Sequence, residues 1–179
     1  MIIAINPGHA PGGSPDPGAV SPDGTRESDI TAAVGLLVSD YLQQLGHIAP
    51  VIQSDDLVEI CNTANSMNAD LFVSIHCNAA YNPNANGAET YYANGSVDGE
   101  KLARMIQMEI INGIPVLNRG VKQAKFYVLV STYMPAVLVE LAFLSNRYDE
   151  SILIDHRCQR DFAKAIADGI VKYIAEVER

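Results

Sequence analysis

Apolar runs of four to eight residues alternate along this chain with stretches whose apolar side chains recur at helical spacing. Residues 2–5, 48–52, 71–75, 88–92, 126–130 and 137–141 are short and rich in β-branched and aromatic side chains, and they read as strands. Ile30, Ala33, Val34, Leu37, Val38, Tyr41, Leu42 and Leu45 fall on one helical face, with Gly46 as its cap. The pattern predicts further helices over residues 56–68 and about 99–111. A last helix carries Phe162, Ala165, Ile166, Ile170, Tyr173 and Ile174 on one side. Such alternation predicts a layered α/β domain with a mostly parallel or mixed sheet, built from residues 1–179 as a single unit.

Composition narrows the function. A length of 179 residues suits one domain with a full core, and 48% hydrophobic against 18% charged residues excludes global disorder. No apolar run is long enough to span a bilayer, so membrane insertion is not expected. The formal net charge of −9 leaves no basic stripe for nucleic acid and no polybasic patch for an anionic membrane. Met1 leads straight into the first strand without a cationic, apolar leader, and a chain made in the cytoplasm, or a clipped domain, is expected. Cys61, Cys77 and Cys158 are widely spaced, without a CxxC pair, which argues against disulfides and a thiolate zinc site. Cys77 is expected to pack on the strand face opposite His76.

Two of the four histidines stand where chemistry is done. His9 follows the strand-like Ile2-Ile3-Ala4-Ile5, and His76 ends Leu71-Phe72-Val73-Ser74-Ile75. In an open α/β sheet the crevice beyond the strand carboxyl ends is where ligands bind. A hydrolytic zinc site needs three protein ligands and an open position, and two imidazoles with one carboxylate suit it. Glu27, just after the long Gly/Pro-rich loop of residues 6–25, is the best third ligand, since long loops in compact domains are usually functional. Such a site also needs an unligated acid to move protons. Glu140 is a lone carboxylate ending the apolar run Ala136-Val137-Leu138-Val139, a placement that costs several kcal/mol unless paired or metal-linked. Singly, each residue has an ordinary explanation: structural histidines, a glutamate at a helix start beside a Ser28 or Thr25 cap, and a Glu140 ion pair with Arg119 or Arg147. Together the four favour the site. His47 and His156 have no such context and read as surface residues.

The ordered blocks resemble a known family. Asn6-Pro7-Gly8-His9, Asp16-Pro17-Gly18-Ala19-Val20, Glu27, Ala64-Asn65, the run Ala69 to Asn78, Gly87-Ala88-Glu89-Thr90-Tyr91-Tyr92, Arg119-Gly120-Val121-Lys122, Pro135 to Glu140 and Phe143 to Asn146 are similar to the motifs of the zinc-dependent N-acetylmuramoyl-L-alanine amidases, amidase family 3. The resemblance implies a three-layer fold with a twisted, six-stranded mixed sheet. It also implies His9, Glu27 and His76 as ligands of one Zn2+ per chain, with Glu140 as catalytic base and acid. The implied substrate is bacterial peptidoglycan, cut between the lactyl group of N-acetylmuramic acid and L-alanine, by a phage endolysin or the catalytic part of a secreted autolysin acting at the cell wall. Asn78 and Arg119 are weaker candidates for orienting the peptide, and a monomer is expected. Ile60 stands where the family usually has arginine, and Ala10 where it has glycine; both concern substrate contacts. Two rival readings are a zinc carboxypeptidase, for which no carboxylate-binding arginine stands out, and a binding module, which would have no need of the four residues.

Overall fold

The computed structural model describes residues 1–178. Five strands form one mixed sheet: β1 (Ile3–Pro7), β2 (Leu71–Asn78), β3 (Ala88–Ala93), β4 (Asn118–Ala124) and β5 (Ala136–Phe143), in the order β1-β2-β5-β3-β4. β1, β2 and β5 are mutually parallel. β3 runs antiparallel to β5 and parallel to β4, so the carboxyl ends of three strands meet the amino ends of two. β1, β2 and β5 are buried on both faces over most of their length, which is why they read as continuous apolar runs.

The helices are α1 (Glu27–Gln44), α2 (Leu57–Ser66), α3 (Val97–Gly113), α4 (Tyr127–Val130), α5 (Arg147–Leu153) and α6 (His156–Val177). One sheet face carries Ile3, Ile5, Val73, Ile75, Val137 and Val139, packed with the buried sides of α1, α3 and α6. The opposite face carries Ala4, Phe72, Ala136 and Leu138 under α2 and α4. The strand period of two thus divides β1, β2, β3 and β5 between two cores. Among the described residues no helix is long and apolar enough to cross a membrane.

Three expectations are corrected. The sheet has five strands, not six: residues 48–52 lie along β1 with only isolated bridges at Ile48 and Val51. Pro50 has no amide hydrogen to give a ladder, so that segment stays an extended fringe. Residues 126–130 hold a helical turn, α4, with Val128 and Leu129 buried and Phe126, Tyr127 and Val130 exposed. Short apolar runs do not distinguish a strand from a buried helical turn. The strand of that region is β4, a polar edge strand with no residue fully buried.

A candidate metal centre at the strand ends

The chain leaves β1 through Gly8 and turns at His9, whose φ is +68°, a left-handed conformation uncommon for a side-chain-bearing residue and found at functional sites. A Cβ on Gly8 would overlap the His76 imidazole, so glycine there lets the two strand ends close up. The two rings consequently meet edge to face, 5.0 Å between centroids. Glu27 is the first residue of α1 and is 3% exposed. Its neighbour Arg26 caps the helix without a side-chain bond, and Thr25 instead donates to Glu150 at 2.8 Å.

Glu27 is the hinge of the cluster. Its Oε2 lies 2.9 Å from His9 Nε2, and its Oε1 lies 2.9 Å from His76 Nδ1. Backbone amides of Ala19 and Cys77 donate to the same two oxygens, each at 2.9 Å. Burial alone would raise the Glu27 pKa; His76 and His9 overcome it and hold the carboxyl far below its usual range. His9 is the mirror case: burial lowers its pKa, but Glu27 and Asp16 together carry it to about 9. Asp16 Oδ2 sits 2.7 Å from His9 Nδ1, and its Oδ1 accepts from Gly18 N at 2.9 Å. A carboxylate on the far nitrogen fixes ring orientation and tautomer, as second partners of metal-bound histidines do. His9, Glu27 and His76 each offer a ligand atom, all within 4.8 Å of one another. Two imidazoles and one carboxylate form a set that suits zinc and leaves a coordination position open.

Glu140 lies opposite His76 in the β2–β5 register, on the wall of a cleft of about 410 Å3 that His9 and His76 also line. Its Oε2 is buried without a hydrogen-bond partner among the described residues. Desolvation first, then the charges of Glu27 and Glu89, raise its pKa to about 8. Neither arginine considered as its ion-pair partner takes that place; Arg119 pairs with Glu89. Cys77 turns to the opposite face and joins the core beside α1, its thiol pushed far up by burial. His156 is exposed and His47 half-buried.

Glu89 itself escaped attention. It is 2% exposed and stands directly across from Glu140 in the antiparallel register of β3 and β5. Oε1 accepts from Asn78 Nδ2 at 2.7 Å and from Tyr91 Oη at 2.8 Å, while Oε2 accepts from Arg119 Nε at 2.9 Å and from Lys122 Nζ. Asn78 and Arg119 therefore both bind Glu89. The signal was available: Glu89 is a lone acid in an apolar strand, the pattern that singled out Glu140. A row now runs across the sheet: His76, Glu140, Glu89, then the cations of β4.

Residues 3–172 match the family described as N-acetylmuramoyl-L-alanine amidase. The chain belongs to that family. This amidase chain is 38% identical to N-acetylmuramoyl-L-alanine amidase LytC of Bacillus subtilis over 177 residues, covering 96% of itself and 35% of LytC. It spans about a third of that relative's length. It superposes on amidase AmiC2 of Nostoc punctiforme with a TM-score of 0.90 at 35% identity, covering 98% of this chain and 97% of the other. The CwlD amidase of Clostridioides difficile, solved with the GerS lipoprotein, gives 0.91 at 30% identity, with 98% of both chains covered. The family fold is thus the α/β architecture described above, with five strands here.

Proposed function

We propose that the protein hydrolyses the amide between the lactyl group of N-acetylmuramic acid and L-alanine in bacterial peptidoglycan, with one Zn2+ held by His9, Glu27 and His76. The observation that carries this reading is Glu140: a buried carboxyl with an unpartnered oxygen, facing the cleft beside a three-ligand set. The donors fit a cation. Buried Glu27 faces a His9 imidazole that holds a proton up to about pH 9, so positive charge is already favoured between them, and metal binding displaces such protons.

Zinc held there supplies Lewis acidity to the scissile carbonyl and to the attacking water, a contribution of several kcal/mol. Glu140 takes the proton from that water and then hands it to the departing alanine amine. Burial first, then the charges of Glu27 and Glu89, raise its pKa in the metal-free site, and a bound cation would bring it back toward the range a proton shuttle needs. Asp16 holds the His9 ring, and Glu27 spans the two imidazoles. Residues 1–179 act as one catalytic domain, a monomer at the cell wall, whether it comes from an endolysin or from a secreted autolysin.

Purified peptidoglycan digested by the protein, with products read by mass spectrometry, tests the reading. Expected are new L-alanine amino termini beside intact glycan strands, lost with chelator and restored with zinc. Cuts elsewhere in the stem would assign a peptidase instead; no cleavage by zinc-loaded protein would remove the enzymatic reading.

A further inference from the structure

The cleft that holds Glu140 does not close around the metal ligands. Past Tyr127 it opens into a second hollow of about 460 Å3, lined by Asp55, Asp56, Leu57, Val58 and Tyr127. Asp55, Leu57 and Tyr127 line both spaces, so the two form one groove, running outward between the start of α2 and the turn of α4. Each half falls within the roughly 300–1,000 Å3 of ligand pockets. Phe126 and Tyr127 are 40% and 44% exposed, with Leu57 and Val58 about half exposed beside them. Their exposure is not looseness. Phe126 meets Tyr91 edge to face, 5.1 Å between ring centroids, and Val128 and Leu129, which follow Tyr127, are buried in the core. Among the described residues no lysine or arginine lines either half, and the outer half is charged only by Asp55 and Asp56. Asp56 Oδ1 caps α2, while the Asp55 carboxylate accepts no hydrogen bond among the described residues. A fixed apolar patch edged by acids, continuous with a reaction cleft, marks a ligand groove.

We infer that this groove is a platform for the glycan strand, with a pyranose ring stacked on Tyr127. The identity of the sugars rests on the amidase reading. Two arms leave a scissile lactyl amide: a peptide that carries carboxylates, and an ether link to an uncharged, N-acetylated sugar. A groove with two carboxylates and no cation repels the first arm and suits the second. The apolar face of a pyranose presents C–H bonds whose slight positive charge meets the negative face of an aromatic ring. Asp55 accepts from sugar hydroxyls and acetamido N–H groups in charge-assisted bonds. Leu57 and Val58 offer apolar surface to acetamido methyls. Ile60 and Leu138, buried along the inner half, keep the wall uncharged up to Glu140. Because the groove continues past Tyr127, it receives neighbouring sugars of the strand as well as the one that bears the cut stem.

The probe is the β-1,4-linked tetramer of N-acetylglucosamine, which has acetamido sugars but neither lactyl group nor peptide, so its binding does not depend on hydrolysis. It is titrated into the full, 15N-labelled chain, with and without zinc, and followed by NMR. Amide shifts are expected at residues 55–58 and 126–128, with the same affinity in both metal states. Tyr127→Ala should weaken binding about tenfold, the scale of one aromatic contact, and Tyr127→Phe should keep most of it. Tyr133→Ala, at an exposed tyrosine outside the groove, is the control and should change nothing. Circular dichroism confirms that the variants are folded. No binding to the wild type, shifts confined to other residues, or undiminished affinity in folded Tyr127→Ala overturns the platform. Digestion of peptidoglycan run alongside separates the two ideas. Amidase activity without tetramer binding leaves the function standing and removes the platform. Tetramer binding at these residues without amidase activity leaves a glycan-binding groove and removes the hydrolase.

Discussion

Replacing Gly18 with alanine asks whether the glycine beside the candidate metal centre serves the backbone or the proposed ligands. Gly18 and Gly24 both adopt left-handed φ, at +69° and +88°. Alanine at either pays roughly 1–2 kcal/mol for that conformation, less up to about 1 kcal/mol gained because alanine restricts the unfolded chain. The surroundings differ. A Cβ at Gly24 has nothing within 4 Å, whereas one at Gly18 would stand 2.5 Å from His9 Cδ2 and 2.6 Å from Glu27 Oε2. These neighbours are the anchored side chains proposed as ligands, so the added carbon displaces them at an overpacking cost of roughly 1–3 kcal/mol. With the net backbone cost taken at about 1 kcal/mol, Gly24→Ala should lower Tm by about 2–4 °C, and Gly18→Ala, at a total of roughly 2–4 kcal/mol, by about 4–16 °C at this chain length. Zinc affinity is the sharper readout. Competition against a calibrated chelator should leave Gly24→Ala unchanged and weaken Gly18→Ala by roughly 10–100-fold, the range seen when the support of a metal ligand is disturbed. Equal zinc affinity in the two variants would refute the argument, whatever their melting temperatures.

Three more outcomes follow from the same geometry. Asp16→Asn, which strips the carboxylate from His9 Nδ1, should weaken zinc by roughly tenfold or more while the fold stays intact; chelator competition checks it. Glu140→Gln should keep stoichiometric zinc and lose at least about 100-fold in turnover, measured by product release from peptidoglycan; full activity with zinc retained would remove Glu140 from the proton path. In chelator-treated protein the raised Glu140 pKa means that folding favours the neutral acid. Stability is then fully present below the usual 4.5 and declines until about pH 8, by at most roughly 5 kcal/mol. His9, raised from 6.5 to about 9, acts in the same direction over its own window. Thermal melts should show the wild type losing more stability than Glu140→Gln between pH 5 and 8, and parallel curves would contradict that assignment.

Strands β1, β2, β3 and β5 and helices α1, α2, α3 and α6 were legible because buried strands and amphipathic helices write their burial into the sequence. β4 was not, because an edge strand facing solvent carries Asn118, Arg119, Lys122 and Gln123 where a central strand carries valines. The run Phe126 to Val130 misled for the opposite reason: a single helical turn burying two residues needs no more apolar signal than a strand does. His9, Glu27, His76 and Glu140 were visible as chemically odd residues in predictable places. What joins them was not. The Asp16 contact to His9 depends on the path of a loop, and the Glu89 hub depends on β3 and β4, whose neighbours come from the tertiary pairing rather than from local pattern.

The position of Glu89 directly across from Glu140 also bears on how the chain avoids misassembly. A slip of one residue between β3 and β5 would rotate every β3 side chain to the other face. Glu89 would then enter the layer where Thr90 now bonds Gln107, stripped of Asn78, Arg119 and Lys122, an unpaired charge in an apolar interior. Apolar pattern alone discriminates weakly against such slips in a strand as polar-fringed as β3 with β4 at its side. The penalty on a misplaced Glu89 makes the wrong pairing expensive from the moment the strands meet. The acid that pairs with the cations of β4 is thus also a proofreading device for the sheet, and the chain has little freedom to lose it even where catalysis is not under selection.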